Sequence, residues 1–177
     1  MVWKRDDPQG NEAGKVMWDL VPYTRGLVLD IGCGPHKAFP HFVGVDNRAD
    51  SQLFHTAMNP EITVSDASDM PMFASSQYDA IFSSHLLEHI VDYKKALKEW
   101  WRLVKEGGHL CLYLPDEDEY PKVGEPGANI DHKWNVNYDK IVDAMMEIGS
   151  WDLLRFEKRN GGNEYSLFFV FKKTCLN

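Results

Sequence analysis

The sequence Val28-Leu29-Asp30-Ile31-Gly32-Cys33-Gly34-Pro35, followed by Phe42-Val43-Gly44-Val45-Asp46, decides the fold. Each run is short and apolar and ends at glycine or aspartate, a pattern typical of parallel strands that are covered on both faces. A glycine turn and a short crossover join the two runs. In a sheet of such strands, ligands bind beyond the carboxyl ends, at the point where the strand order reverses. Gly32 and Gly34 fall at that point and allow the backbone to turn tightly beside a ligand.

Two acidic residues indicate which ligand the turn holds. Asp30 precedes the first glycine and would repel a pyrophosphate, the group that a dinucleotide brings to a helix N-terminus. The same carboxylate would attract an ammonium group. Asp46 ends the second run, where a carboxylate can accept hydrogen bonds from the hydroxyls of a ribose. A ligand with an amino-acid end and a nucleoside end satisfies both residues, and S-adenosylmethionine is the common one.

With these residues the chain resembles the class I S-adenosylmethionine-dependent methyltransferases, in particular the small single-domain type 11 group. The family motif is an acid followed by glycines at alternate positions, and it stands here as Asp30-Ile31-Gly32-Cys33-Gly34. His36 replaces the third alternate glycine, and Pro40 limits the first crossover helix to a turn or two. The resemblance implies an α/β fold: a Rossmann-like, mostly parallel seven-stranded sheet with helices on both faces, a C-terminal antiparallel hairpin and a shortened first crossover helix.

The rest of the chain shows patterns that suit this architecture. A Gly-Gly pair within residues 160–163 separates two β-rich runs and indicates a terminal hairpin, whereas a dinucleotide-binding sheet stays parallel. Periodicity and capping residues predict helices at 11–21, 92–105 and 138–148, and further strands at 62–64, 78–84, 109–115, 151–159 and 164–173. We expect residues 1–26 to form an N-terminal arm and helix, and residues 27–177 to form the S-adenosylmethionine-binding domain.

The resemblance also assigns residues to the cofactor site. Asp66 and Ala67 match the adenine-binding turn of the family, in which the carboxylate accepts a hydrogen bond from the adenine amino group. Ser83 and His85 lie at the end of the fourth strand, which faces the sulfonium in the family fold. The predicted cofactor-binding residues are therefore Asp30, Gly32, Gly34, Asp46, Asp66, Ala67 and Ser83.

Two histidines are candidate general bases, because imidazole has a pKa near neutrality and can remove a proton from a hydroxyl acceptor. His85 lies at the expected reaction site, and Glu88 and His89 would share one helical face with it. His132 lies in the irregular segment 116–135, whose length is typical of a lid or binding loop. It resembles a histidine of family members that act on sugars and other small metabolites. The competing interpretation of all three histidines is a packed or surface side chain.

No metal site is predicted from the sequence. The acidic run at 116–119 could bind a metal ion, as in catechol-type enzymes, but a solvated acidic loop is the preferred interpretation. An Asn/Asp-Pro-Pro-aromatic loop is absent from the sequence after the fourth strand, at 85–90. This absence disfavours planar amino groups, such as those of DNA bases, as acceptors.

Composition narrows the class of protein. The chain has 177 residues, of which 44% are hydrophobic, and suits one soluble domain. Its net charge of −8 disfavours nucleic acid as a partner. The three cysteines are scattered, which favours a reducing compartment over a disulfide framework. We find no signal peptide before the first strand and no apolar run long enough to span a membrane, and we expect a cytoplasmic protein.

The function expected from the sequence is methyl transfer from S-adenosylmethionine to a small-molecule acceptor. A sugar or glycan hydroxyl is the preferred acceptor, and other small metabolites follow closely. One alternative is a non-catalytic S-adenosylmethionine-binding module or partner subunit. An NAD-dependent oxidoreductase is less favoured, because Asp30 and the terminal hairpin both argue against it. The sequence leaves the oligomeric state open.

Overall fold

The structure is a computed structural model that describes residues 11–34, 37–47 and 62–175. The helices are α1 (Glu12–Leu20), α2 (Tyr93–Leu103) and α3 (Tyr138–Met146), and a 3₁₀ helix spans Leu87–His89. The strands are β1 (Val28–Ile31), β2 (Val43–Asp46), β3 (Ile62–Val64), β4 (Tyr78–Ser84), β5 (Val104–Pro115), β6 (Trp151–Arg159) and β7 (Ser166–Lys173).

The seven strands form one sheet in the order β3-β2-β1-β4-β5-β7-β6. Strands β1 to β5 are parallel to one another, and β7 lies antiparallel between β5 and β6. The predicted mostly parallel sheet with a C-terminal antiparallel hairpin is thereby confirmed. Because the order reverses between β1 and β4, the carboxyl ends of these two strands border the crevice in which such sheets bind ligands.

Helices cover both faces of the sheet, as predicted. On one face, Val16 and Leu20 of α1 pack with Phe82 of β4 and Phe168 of β7. The opposite face is covered by α2 and α3, whose buried side chains are Ala96, Leu97, Trp100, Trp101, Leu103, Ile141, Ala144 and Met145. Because helices pack on both faces, β1, β4 and β7 are buried along most of their lengths.

Side-chain caps begin the three helices where the sequence predicts them. The caps are Asn11, Asp92 and Asn137, and each side chain accepts a hydrogen bond from the backbone amide three residues later. The predicted ends are less accurate. The helix α3 ends at Met146 rather than at residue 148, and α2 ends at Leu103 rather than at residue 105.

The start of β5 is the largest error in the predicted elements. The strand begins at Val104 rather than at His109, because Val104 pairs with Tyr78 at the start of β4. The register then shifts before His109 pairs with Ala80. Within the shifted part, Gly107 has a φ of 75°, a left-handed conformation that glycine adopts without strain. The sequence suggests that Gly107 and Gly108 end the preceding helix and separate it from the strand, whereas in the structure the pair lies inside β5 and forms an irregularity there.

The first crossover is short. The described residues between β1 and β2 contain no helix, and the bend at 37–42 leads directly into β2. His36, which replaces the third motif glycine, lies outside the described residues. None of the helices in the described ranges is long and apolar enough to cross a lipid bilayer.

Candidate active site

The glycine turn after β1 is held against the neighbouring strand. The amides of Gly32 and Cys33 donate hydrogen bonds to the carbonyl oxygen of Val45, at 2.8 and 3.2 Å. Gly32 has a φ of 73°, and a Cβ atom there would come within 2.6 Å of the Leu86 side chain. Gly34 has a φ of 54°. Only glycine fits at position 32, so the turn brings bare backbone to the crevice.

Asp30 lies beneath this turn. Its side chain is buried, and its Oδ2 atom accepts a 2.7 Å hydrogen bond from the amide of Ala38. Burial raises the pKa of Asp30 to about 7, with a small further rise from Asp46; the Ala38 bond and the charge of Lys37 act in the opposite direction. The carboxylate therefore holds the crossover to β1. This bond is absent from the sequence-based prediction, which gave the carboxylate an ammonium partner from the ligand.

Asp46 joins three elements at the carboxyl end of β2. Its Oδ2 atom accepts a 2.9 Å hydrogen bond from the amide of Gly34, and its carbonyl oxygen accepts one of 3.1 Å from Ser65, the residue after β3. The side chain is partly exposed. Asp46 thus lies beside the glycine turn at the edge of the crevice, the place where the sequence predicts a ribose.

The turn after β3 orders the next predicted residues. The Oδ1 atom of Asp66 accepts hydrogen bonds from the amide and hydroxyl of Ser68, at 2.8 and 2.9 Å, and these bonds lower the pKa of Asp66. The carboxylate is exposed and ionised at neutral pH. The carbonyl oxygen of Ala67 accepts a 2.8 Å hydrogen bond from the indole nitrogen of Trp100. The turn is thereby fixed to α2.

Ser83 lies in the sheet under the glycine turn. Its side chain is fully buried, and its hydroxyl donates a 2.9 Å hydrogen bond to the carbonyl oxygen of Ile31, the last residue of β1. The hydroxyl thus fixes the end of β1 from the adjacent strand, directly before Gly32.

A buried carboxylate with histidines around it follows β4. Glu88 is fully buried, and neither of its carboxylate oxygens has a hydrogen-bond partner among the described residues. Its Oε1 atom lies 3.7 Å from Nδ1 of His85, 3.8 Å from Nε2 of His89 and 3.8 Å from Nε2 of His132. We name these four residues the Glu88 cluster. Burial raises the pKa of Glu88 to about 8, and the nearby Glu12 raises it further.

The local structure of the cluster differs from the predicted helical face. His85 has a φ of 48°, and the chain then forms only a single 3₁₀ turn at Leu87–His89. Glu88 nevertheless contacts both His85 and His89. The expectation of an α-helix here is therefore wrong. The side chains of His85, Glu88 and His89 are nevertheless close together, in a chain that forms a single 3₁₀ turn.

His85 is held by residues that are distant in sequence. Its Nε2 atom forms a 2.9 Å hydrogen bond with the hydroxyl of Ser166 and lies 3.6 Å from Oε2 of Glu12. Burial lowers the pKa of His85 to about 3, and the charges of Lys15 and the neighbouring histidines lower it further. The imidazole is therefore neutral at physiological pH. The structure brings together the two predicted bases, since His85 and His132 both lie within 3.8 Å of Oε1 of Glu88.

The loop that carries His132 is fixed to the 3₁₀ helix. The amide of Lys133 donates a 2.8 Å hydrogen bond to the carbonyl oxygen of Glu88. The indole nitrogen of Trp134 donates one of 3.1 Å to the carbonyl oxygen of Leu87, and the indole stacks on Tyr93 at 3.9 Å. His132 itself is buried, and its burial lowers its pKa to about 4, with a further contribution from His89.

Two tyrosines line the outer side of the cluster, and the sequence gives no signal for them. Tyr120 lies 5.2 Å from the ring of His132 and 5.0 Å from the ring of Tyr165. Tyr165 in turn lies 5.7 Å from the ring of His85. Glu12, Tyr165 and Ser166 come from α1 and the start of β7, so that only the tertiary fold could reveal them.

The acidic run at 116–119 is solvated only in part, since Asp118 and Glu119 are exposed but Asp116 is buried. Asp116 is buried, and its carboxylate accepts a hydrogen bond from the amide of Asp118. Lys158 of β6 contacts both aspartates, at 3.4 and 2.8 Å. Glu117 accepts hydrogen bonds from Asn137 and Lys140 at the start of α3. Asp116, Glu117 and Asp118 thus hold the loop to β6 and α3 through Lys158 and Lys140.

Known proteins share both the fold and part of the sequence. Residues 29–112 match the family model described as "Methyltransferase domain". A curated but uncharacterised protein of Methanocaldococcus jannaschii is 26% identical over 101 residues, which cover 56% of this chain and 49% of that protein. The chain therefore spans about half the length of the curated relative that it matches.

Similar solved structures share the whole fold at low identity. An S-adenosylmethionine-dependent methyltransferase of Mesorhizobium loti has a TM-score of 0.72 and 14% identity, with 93% of this chain and 99% of that chain covered. A candidate methyltransferase of Haloferax volcanii, solved in complex with the Trm112 methyltransferase activator, also has a TM-score of 0.72 and 14% identity, with 99% and 100% covered. A Thermotoga maritima methyltransferase described as a possible histamine N-methyltransferase has a TM-score of 0.68 and 15% identity, with 92% and 88% covered.

The strand order and the terminal antiparallel hairpin define a Rossmann-like fold of the methyltransferase type. Residues 29–112 in addition match the methyltransferase-domain model, so that fold and local sequence together support a class I S-adenosylmethionine-dependent methyltransferase.

Proposed function

We propose that the chain transfers a methyl group from S-adenosylmethionine to a hydroxyl of a small-molecule acceptor, with a sugar or glycan hydroxyl as the preferred class. The observation that carries this proposal is the position of the Glu88 cluster. Leu86, whose side chain lies against Gly32, directly follows His85 and precedes Glu88 by two residues. Histidine and carboxylate groups therefore lie directly beside the turn where the cofactor is expected.

The residues around the turn fit S-adenosylmethionine. Leu86 packs against Gly32 so closely that no Cβ atom fits there, and the turn therefore offers backbone without a side chain to the methionine end. Asp46 would accept hydrogen bonds from the ribose hydroxyls while it orients the Gly34 amide. The ionised carboxylate of Asp66, held by Ser68, would accept the adenine amino group beside Ala67.

The residues behind the turn act indirectly. Asp30 would hold the crossover in place through Ala38, and Ser83 would hold the end of β1 through Ile31. Neither side chain needs to touch the cofactor for its loss to disturb the turn.

The cofactor supplies a methyl carbon that the sulfonium already activates. What the protein must add is an acceptor held in line with that carbon, which lowers the barrier through proximity and orientation. A hydroxyl acceptor must also lose its proton. Burial holds the pKa of both candidate histidines below the near-neutral value expected from the sequence. We propose His85 and His132 as the groups that receive the proton, since both imidazoles are neutral at physiological pH and lie next to Glu88.

The preference for a sugar has two supports. His132 lies at the position that resembles a histidine of sugar-modifying family members. Tyr120 and Tyr165 add aromatic faces that carry hydroxyl groups, and small-molecule sites commonly combine apolar walls with a few polar groups. An amine acceptor remains the comparison in any screen, because Glu12 and Glu88 place two carboxylates near the same rings.

The experiment has two stages. Calorimetric titration with S-adenosylmethionine and S-adenosylhomocysteine tests the cofactor site. A screen of sugars, nucleosides, other hydroxyl metabolites and amines, read by release of S-adenosylhomocysteine, then tests the transfer. Turnover with a sugar supports the proposal. Turnover with amines alone would show that the acceptor is an amine and not a hydroxyl compound. Cofactor binding without turnover on any acceptor would support a non-catalytic module, and binding of NAD in place of both ligands would support an oxidoreductase.

Variants of the two histidines test the base assignment. We expect His85→Gln and His132→Gln to lower kcat by about a hundredfold, within the range for lost general-base catalysis. His41→Gln is the matched control, since His41 is exposed in the first crossover. Full turnover in the double variant would show that neither histidine is the base.

A further inference from the structure

We propose that Glu88, His89 and His132 bind a divalent first-row transition-metal ion. This site goes beyond the proposed function, because it requires neither the cofactor nor an acceptor. The sequence predicts no metal site in the chain, since the ligands come from two segments that only the fold brings together.

The ligand atoms converge on one point. One oxygen of Glu88 and one ring nitrogen from each of His89 and His132 all lie within 4.8 Å of one another. Oε1 of Glu88 lies 3.8 Å from Nε2 of each histidine. Metal bonds of about 2.1 Å place two tetrahedral ligands about 3.4 Å apart. The two distances of 3.8 Å from Glu88 to the histidines therefore need only a small closure.

The carboxylate itself points to a ligand. Glu88 is fully buried, and neither oxygen has a hydrogen-bond partner among the described residues. The distances to the three histidines, 3.7 to 3.8 Å, are too long for direct hydrogen bonds. A buried carboxylate without a partner carries a large desolvation cost, which a bound cation or a bridging water would offset.

The two ligand-bearing segments are already fixed to each other. The amide of Lys133 bonds to the carbonyl of Glu88, and Trp134 bonds to Leu87. The amide of His132 also donates a 3.1 Å hydrogen bond to the carbonyl oxygen of Asn129 within the loop. A site that is held in this way loses little chain entropy when a ligand binds.

The donor set selects the class of ion. Two imidazoles and one carboxylate suit zinc, cobalt and similar ions, whereas magnesium and calcium prefer oxygen ligands. Three protein ligands leave a coordination position open for water or another oxygen. If the proposed function holds, an acceptor hydroxyl at that position would lose its proton more readily. His132 would then act as a ligand, and His85 would remain the candidate base.

The test is metal titration of the full chain without a histidine tag, after treatment with a chelator. We expect one equivalent of Zn²⁺ to bind in calorimetry, and one equivalent of Co²⁺ to give visible absorption bands. Glu88→Gln, His89→Gln and His132→Gln should each weaken binding by at least about tenfold. His41→Gln, at an exposed position in the first crossover, should leave it unchanged.

Several outcomes would overturn the metal site. These are no binding of either ion by the wild type, equal binding by the wild type and Glu88→Gln, or tighter binding of Mg²⁺ than of Zn²⁺. Circular dichroism confirms that the variants are folded. Titration with S-adenosylmethionine on the same samples separates the two proposals. If the protein binds the cofactor but no metal ion, only the metal site is overturned. If it binds a metal ion but not the cofactor, only the proposed function is overturned.

Discussion

The backbone amide of Lys133 donates a 2.8 Å hydrogen bond to the carbonyl oxygen of Glu88, and this bond fixes a long loop to the segment after β4. Because His132 precedes Lys133, the same junction places an imidazole against the buried carboxylate. The loop between β5 and α3 is therefore part of the candidate site. Its ordering should control how well the Glu88 cluster is assembled.

Removal of the indole of Trp134 should loosen this loop. We expect Trp134→Phe to lower the free energy of unfolding by about 1 kcal/mol, the cost of one lost hydrogen bond, because the stacking on Tyr93 is kept. Trp134→Ala should cost about 3 kcal/mol and expose residues 116–135 to limited proteolysis. Trp18→Ala is the control, since Trp18 is 76% exposed. Equal protease resistance of Trp134→Ala and the wild type would contradict this role.

Loss of the Asp46 carboxylate should weaken cofactor binding. We expect Asp46→Ala to raise the Kd for S-adenosylmethionine and S-adenosylhomocysteine by about ten- to a hundredfold, since hydrogen bonds to a charged group contribute about 1.5–3 kcal/mol. The Gly34 amide also loses its acceptor. Calorimetric titration measures the change, with Asp152→Ala of the exposed β6 surface as control. An unchanged Kd would show that the ribose does not bind at Asp46.

A methyl group at Gly32 should damage the turn in two ways. Gly32→Ala forces a side chain into a φ of 73° and within 2.6 Å of Leu86. Gly107→Ala has a similar φ of 75° but no atom within 4 Å, and Gly161→Ala has neither problem. We expect melting temperatures to fall in the order Gly161→Ala, Gly107→Ala, Gly32→Ala, with loss of cofactor binding in the last alone. Normal binding by Gly32→Ala would show that the turn is not the cofactor site.

The sequence predicts the sheet far better than the cluster, for physical reasons. Short apolar runs, capping residues and glycine pairs are local signals, and they place every strand of the sheet. The Glu88 cluster depends instead on contacts with Glu12, His132 and Ser166, which the chain brings from three distant segments. The positive φ of His85 has no signal in the sequence either. The candidate histidines could be named, but the carboxylate between them could be recognised only from its burial.

The buried carboxylate of Asp30 should make stability depend on pH. Its pKa is raised from 3.8 to about 7, so the folded protein keeps this proton at pH values where the unfolded chain has lost it. The resulting stabilisation is complete below 3.8 and is lost as the pH rises through about 7. Asp30→Asn keeps an oxygen that can accept the Ala38 amide but has no charge. We therefore expect thermal unfolding to show a flatter pH profile for this variant, whose free energy of unfolding exceeds that of the wild type by roughly a few kcal/mol at alkaline pH.

Asp152→Asn, on the exposed surface, should follow the wild-type profile. Parallel profiles for Asp30→Asn and the wild type would mean that the carboxylate is ionised in the folded protein throughout this range.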